Sequence, residues 1–301
     1  MKIPVTLVSG FLGSGKTSFI KHYLEQNKDR KIALVENEIG QSSIDSTLLQ
    51  GKENTIIEMS NGCICCTIND NFSQGLQNLI LNYPELDEVL IESTGIAHPA
   101  NIIETLAMTP YLMTRFQLKQ SIALIDALNF FDNKSIDPIM AEQVISAQHL
   151  IINKSELVTQ DKLDSIQLEL QSINPFAQLY PATFAKVEIK KENSAIHWQA
   201  AKTAPESQRH QIKAHSFHFD GQFSQSAILT FIQKLLFQQQ KIYRIKALFQ
   251  LPKNSLIVQS VHKTIQTEEL DKIPNQKNEL IIIGEDIDTL PVNIFINSVK
   301  A

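Results

Sequence analysis

The amino-acid sequence predicts an α/β fold: a mostly parallel sheet wrapped by helices, followed by a smaller α/β domain of ferredoxin-like organisation. Three observations predict it. Short apolar runs alternate with amphipathic stretches from Ile3 to Gln171, the pattern of a parallel sheet covered by helices. A complete glycine-rich loop joins the first strand to the first helix. From Glu192 to Gln211 the pattern gives way to polar, uncommitted sequence, after which strands and a helix resume. The chain therefore reads as a first domain over 1–191, a linker over 192–211 and a C-terminal domain over 212–301.

The first strand is Ile3 to Ser9, where Val5, Leu7 and Val8 favour an extended, buried conformation. Behind Met1 and Lys2 this run faintly resembles a secretory leader. It flows into the glycine loop with no small-residue cleavage site, however, and reads as a strand. Lys16 to Gln26 is the first helix. Further strands are expected at Lys31 to Glu36, Thr55 to Met59, Glu88 to Glu92, Ser121 to Asp126 and His149 to Asn153. The helices between them are Asn69 to Asn82, Pro99 to Ala107, Pro138 to Ser146 and Gln160 to Gln171. His98-Pro99 and Asp137-Pro138 set a proline in the first turn, where no backbone donor is needed. Beyond the linker, a strand (Ala214 to Phe219), a helix (Phe223 to Leu236) and two strands (Ile242 to Gln250, Ser255 to His262) are expected. A fourth strand (Glu279 to Gly284) and a last helix from Pro291 complete the small domain.

Of the 301 residues, 43% are hydrophobic and 20% charged, proportions of a globular protein with ample length for a core. The net charge of -5, with no basic stripe, excludes a nucleic-acid binder. No apolar run reaches the ~18 residues that span a bilayer, so no membrane partner is expected. With no export signal, the expected compartment is the cytoplasm, where the three cysteines stay reduced.

Gly10-Phe11-Leu12-Gly13-Ser14-Gly15-Lys16-Thr17 matches the phosphate-loop pattern in full, in strand-to-helix context. Its glycines let backbone amides converge on phosphate oxygens, and the helix opening at Lys16 points its positive end at the anion. The candidate nucleotide contacts are Gly10, Gly13, Ser14, Gly15, Lys16, Thr17 and Ser18. Lys16 neutralises charge on the β and γ phosphates, and the Thr17 hydroxyl is placed for magnesium. A carboxylate is also expected at a nearby strand end. Glu92 supplies it, with Gly95 following at a spacing suited to sensing the γ-phosphate; Asp126, ending another strand, competes.

Asn153-Lys154-Ser155-Glu156 follows an apolar strand, where guanine-specific proteins carry Asn-Lys-x-Asp. The carboxylate of that motif accepts hydrogen bonds from the guanine N1 and N2 donors, a pair adenine lacks. Glu156 keeps the chemistry on a longer arm, so guanine preference with looser discrimination is expected. All three cysteines fall at Cys63, Cys65 and Cys66. Thiolates are soft ligands suited to zinc, which takes four ligands; water, Glu36, Glu38 or a histidine could supply the fourth. An incomplete shell suits transfer, because an incoming ligand needs an open position. Buried small apolar residues or a redox sensor are the other readings of the cysteines. His210, His215, His218 and Trp198 read as surface or packing residues.

Taken together, these motifs, with Glu36-Asn37-Glu38-Ile39-Gly40, resemble the CobW-type metallochaperone GTPases, and within them the YjiA-like and zinc-transferring members. The resemblance covers the N-terminal two-thirds strongly and the remainder through Tyr243-Arg244-Ile245-Lys246-Ala247. It implies a phosphate-loop GTPase domain, a smaller C-terminal domain that recognises the client, and zinc, cobalt or a similar metal at the cysteine motif. It further implies GTP-dependent delivery of that metal to a client protein. Two departures stand out: Gln41 replaces a glutamate common in the family, and the histidine-rich stretch many members carry is reduced to His210, His215 and His218.

The expected activity is therefore slow, magnesium-dependent hydrolysis of GTP, coupled to transfer of zinc or a related divalent metal. The catalytic candidates are Lys16, Thr17, Glu92 and Gly95, and the zinc candidates Cys63, Cys65, Cys66, Glu36 and Glu38. An oligomer is compatible with the sequence. A phosphate-loop small-molecule kinase and a non-enzymatic nucleotide-binding metal or redox sensor are the alternatives.

Overall fold

The computed structural model describes residues 2–37, 56–57, 68–93, 98–131, 138–189, 212–238, 241–261, 263–271 and 277–285, with Ile287 and Val292. Two compact units divide the chain, one of residues 1–167 and 177–190, the other of 168–176 and 191–301.

The first unit holds strands β1 (Ile3–Gly10), β2 (Ile32–Asn37), β3 (Ile56–Ile57), β4 (Glu88–Ser93), β5 (Phe116–Asp126), β6 (His149–Asn153) and β7 (Gln178–Ala182). Helices α1 (Lys16–Gln26), α2 (Ile68–Asn82), α3 (Pro99–Met108), α4 (Pro110–Arg115) and α5 (Pro138–Ser146) connect them, with α6 (Gln160–Ile173), within which the division between the units falls after Gln167. The sheet order is β3-β2-β4-β1-β5-β6-β7, and every pairing is parallel. From β1 the chain runs out to β2 and the edge strand β3, returns to β4 beside β1, and then winds outward on the other side through β5, β6 and β7. The carboxyl ends beside β1 thus form the crevice where open α/β sheets take their ligands.

Helix α1 packs Phe19, Ile20, Tyr23 and Leu24 onto Val8, Leu34, Leu90, Ile122, Leu124 and Ile151 of the sheet. The alternate residues Val5, Leu7, Val89, Ile91 and Ile125 are equally buried, as period-2 strands covered on both faces require. At about 25 cal/mol per Å² of apolar surface, such two-sided burial is the main force holding the sheet.

A polar cluster pins the amino ends of the same strands. The carboxylate of Glu88, fully buried at the start of β4, accepts hydrogen bonds from Thr6 Oγ1 and, at 2.9 Å, from Tyr23 OH. Arg30 Nη1 meets its other oxygen at 2.5 Å without a well-directed N–H, so this contact is chiefly Coulombic. Gln120 Nε2 donates to Thr6 Oγ1 and Tyr23 OH. Burial, reinforced by the Glu88 charge, pushes the Tyr23 phenol up to about 12. It stays protonated and serves as a donor.

The second unit contains β8 (Ile212–Phe219), α7 (Gln225–Gln238), β9 (Ile242–Gln250), β10 (Asn254–Val261), β11 (Thr264–Asp271) and β12 (Asn278–Glu285). Its sheet runs β11-β10-β9-β12-β8 with antiparallel pairing throughout. Because β12 lies between β8 and β9, the β8-α7-β9 passage is a split β-α-β, but the strand that splits it is the last, β12, and not the hairpin partner β10 of the expected ferredoxin-like order. The β10–β11 hairpin extends the sheet by an edge strand. Helix α7 seats Ile228, Phe231, Ile232 and Leu235 in a core with Ile245, Phe249, Leu256, Val258 and Ile282. Phe219, Phe223 and Phe249 meet with ring centroids 5.6–5.7 Å apart. The expected linker lies outside the described residues, as does the expected last helix except at Val292, which is helical.

Candidate functional site at the carboxyl edge of the parallel sheet

The loop Gly10–Gly15 leaves β1, the central strand, and delivers the chain into α1. Gly10 and Gly15 have φ of +141° and +104°, values that L side chains rarely adopt. Space requires them as well: a Cβ on Gly10 would lie 2.6 Å from the Leu124 carbonyl oxygen, and one on Gly15 would collide with Asn153 Nδ2. Lys16, 8% exposed, folds its ammonium over the loop, donating to the carbonyls of Gly10 at 2.9 Å and Phe11 at 3.2 Å. Thr17 and Ser18 are exposed in the first turn of α1.

Several features fit this edge to a polyphosphate and a hard cation. Helix α1 has neither a side-chain cap nor an acidic residue in its first turn, so no carboxylate of its own offsets its positive end. The hydroxyl oxygens of Ser14 and Ser93 are buried without a hydrogen-bond partner among the described residues. Buried hydroxyls of this kind ordinarily find partners. The position a Cβ would take on Gly13 faces open space.

Glu92 is the last residue but one of β4, in register with Val8 on one side and with Glu36 on the other. The strand pairing thus brings two sequence candidates, from the phosphate-sensing and zinc sets, to one level of neighbouring strands. Gly95, Glu38, Cys63, Cys65 and Cys66 lie outside the described residues. Among the described residues no group of three or more His, Cys, Asp or Glu side chains is placed to hold a metal. His98, opening α3, is anchored by Nδ1 lying 2.5 Å from Glu142 Oε2 on α5. His215 stacks on Phe217 with centroids 4.7 Å apart, and His218 pairs with Glu279 across β8 and β12 at 3.3 Å.

Asn153 joins the second motif directly to the first. Its Nδ2 donates to the Ser14 carbonyl at 2.8 Å, and its Oδ1 accepts from Ala185 N at 2.7 Å. Lys154 takes a left-handed backbone conformation, φ 61°, and its ammonium lies 2.6 Å from Asp126 Oδ2. Asp126 also accepts from Leu128 N and Asn129 Nδ2, so it orders its own loop and holds Lys154. Glu156 is exposed in a short 3-10 turn, Ser155–Leu157, and Ser155 Oγ ties that turn to the Ala182 carbonyl at 3.0 Å. The loop after β7, with Phe184 and Ala185, escaped the sequence reading. The signal for it is positional: it ends the strand next to the one that carries Asn153-Lys154.

Comparison with known proteins agrees with this geometry. Residues 4–181 match the family described as CobW/HypB/UreG, nucleotide-binding domain, and residues 212–293 match the cobalamin synthesis protein cobW C-terminal domain. The chain is 32% identical over 191 residues to the zinc chaperone YjiA of Escherichia coli, covering 62% of this chain and 59% of that protein. It is 31% identical over 194 residues to zinc-regulated GTPase metalloprotein activator 1 of Schizosaccharomyces pombe, covering 62% of this chain and 47% of that protein. The matches thus span about half the length of these curated relatives. The zinc chaperone CobW of Pseudomonas aeruginosa is 24% identical over 334 residues, covering 95% of this chain and 88% of that protein. The crystal structure of Zn(II)-bound YjiA GTPase from E. coli superposes with a TM-score of 0.74 at 23% identity over the whole of both chains, a likeness of fold.

Proposed function

The chain belongs to the CobW/HypB/UreG family, and we propose that it is a GTP-hydrolysing metal chaperone that delivers zinc, or a related divalent metal, to a client protein. One observation carries the reading. Asn153, in the motif that reads guanine, is hydrogen-bonded to the phosphate loop itself, beside an uncapped helix end and two buried hydroxyls that have no partner among the described residues. The relatives' names, zinc chaperone and GTPase metalloprotein activator, support the same reading.

In this reading Gly10, Gly13, Ser14 and Gly15 wrap the phosphates with backbone amides, and Lys16 turns from the loop carbonyls to the β and γ oxygens. Magnesium bound at the Thr17 hydroxyl would neutralise charge on those oxygens. Ser18, in the same turn, completes the phosphate contacts. Glu92 sits near the magnesium and, with Gly95, relays the γ-phosphate state. Asn153, Lys154 and Glu156 hold the base. Zinc is the cargo, held by Cys63, Cys65 and Cys66 with Glu36 or Glu38. Glu36 and Glu92 sit at one level of adjacent strands, so an ordering of the Glu92 segment by γ-phosphate has a short route to the metal ligands. The compartment is the cytoplasm, and the C-terminal unit recognises the client. No described helix is long and apolar enough to cross a membrane.

The test is a competition titration of zinc on reduced protein, with GDP and with a non-hydrolysable GTP analogue. The expected result is a clear difference in affinity that disappears in a Cys65→Ser, Cys66→Ser double variant. Equal affinity in both states removes the coupling, and the chaperone reading with it. Lys16→Ala should abolish turnover.

A further inference from the structure

The loop that leaves β7 closes tightly, with a bridge between Thr183 and Lys186 and a hydrogen bond from Lys186 N to Thr183 O at 3.1 Å. Inside it Phe184 and Ala185 both adopt left-handed backbone conformations, with φ of 52° and 56°. L residues with a Cβ resist that region, and neither position is the Gly, Asn or Asp that tolerates it best. Two such residues in succession persist only where the surroundings over-determine them, and strain of this kind gathers at ligand sites.

Ala185 shows what holds the loop. It is fully buried, its N–H is bound by Asn153 Oδ1, and its methyl lies 3.8 Å from the Cβ position of Gly15. The conformation does not bury its neighbour. Phe184 is 72% exposed, a large apolar ring presented to solvent at the carboxyl edge of the sheet. Across the β6–β7 pair, Leu157 follows Glu156 and is 55% exposed. Two uncovered apolar side chains therefore flank the motif that reads the base, on loops that Asn153 and Ser155 tie together.

We propose that Phe184 is the stacking wall of the nucleobase site: the purine presents its donor edge to Glu156 and lays one face on the Phe184 ring. A purine face is apolar, and stacking on an aromatic ring hides it from water without regard to its edge substituents. Phe184 thus supplies affinity for a base and Glu156 the choice of guanine. This inference rests on the nucleotide reading above.

The test uses the full chain and calorimetric titration with two probes, GDP and inorganic tripolyphosphate, the second lacking a base. Phe184→Ala is expected to weaken GDP binding about tenfold and leave tripolyphosphate binding unchanged. Phe184→Trp, made in a Trp198→Phe background, should restore GDP affinity, and GDP should quench its fluorescence. Wild-type affinity for GDP in Phe184→Ala overturns the proposal while the nucleotide reading stands. Parallel weakening of both probes also overturns it, showing a loop that merely supports the phosphate site. Wild-type protein that binds neither probe removes both readings together.

Discussion

Replacing Arg30 with alanine should cost the protein about 2 kcal/mol, chiefly through the Glu88 cluster, since the other contact of the Arg30 side chain is an exposed 3.3 Å hydrogen bond from Nη2 to the Asp87 carbonyl. Glu88 is buried without solvent access, and the Arg30 guanidinium at 2.5 Å is the cation that meets it. Breaking a fully buried ion pair typically costs ~3–5 kcal/mol, because the remaining charge is stranded in a poor dielectric. Arg30 is 31% exposed, so water screens part of the attraction and the expected loss falls to about 2 kcal/mol. With a urea dependence of about 2 kcal/mol per molar for a unit of this size, the midpoint drops by about 1 M. Far-UV circular dichroism through a urea series reads this directly. The sign of a second change is more telling. In the Arg30→Ala background, Glu88→Gln removes the stranded charge while leaving an oxygen for Thr6 and Tyr23, and should recover about half of the loss. An Arg30→Ala midpoint within about 0.2 M of wild type, or a Glu88→Gln that destabilises the variant further, would refute this electrostatic account.

Gly15→Ala forces a Cβ into Asn153 and a strained φ at once; about 3 kcal/mol of stability should go, with guanine-nucleotide affinity, in paired unfolding and GDP titrations. Asn153→Ala leaves the Ala185 N–H without its acceptor, and hydrogen exchange should show that amide losing protection, whereas Asn153→Asp keeps it protected. Burial pushes the His149 imidazole down to about 4 from its usual 6.5, so below pH 6.5 the unfolded chain binds a proton that the folded one refuses. Stability should therefore fall as pH drops from 6.5 toward 4, by up to about 3 kcal/mol, and His149→Gln should flatten that slope in urea melts at stepped pH.

Much of the first unit was legible because its signals are local. The helices Lys16–Gln26 and Pro138–Ser146 and the strand His149–Asn153 have the expected bounds, the helices marked by a glycine or proline at their start and the strand by its contiguous apolar run. What was missed is non-local or atypical. β7 carries Pro181, which argues against a central strand, and β7 is indeed at the sheet edge. β5 begins at Phe116, five residues before the expected Ser121, because Gln117, Lys119 and Gln120 interrupt its apolar pattern. β11 holds Glu268, Glu269 and Asp271, charges that suit an edge strand but read as a loop. Helix α4 spans six residues, too few for a periodic signal. The phosphate loop could be read from eight contiguous residues. The Asn153 hydrogen bonds could not, since they join positions 139 and 32 residues apart.

The central place of β1 also sets the order in which this protein can be made. Thr6 must wait for Glu88, 82 residues further along, and for Gln120, 114 residues along, before its strand has neighbours on either side. At ribosomal rates of about 5–20 residues per second, those partners arrive roughly 4–20 seconds after β1 itself. Helix α1 forms locally within about a microsecond and can shield one face of the strand in that interval. The other face, with Val5 and Leu7, stays open to water and to any unpaired strand nearby. The central strand of the finished sheet is thus made first and waits for both of its neighbours during synthesis.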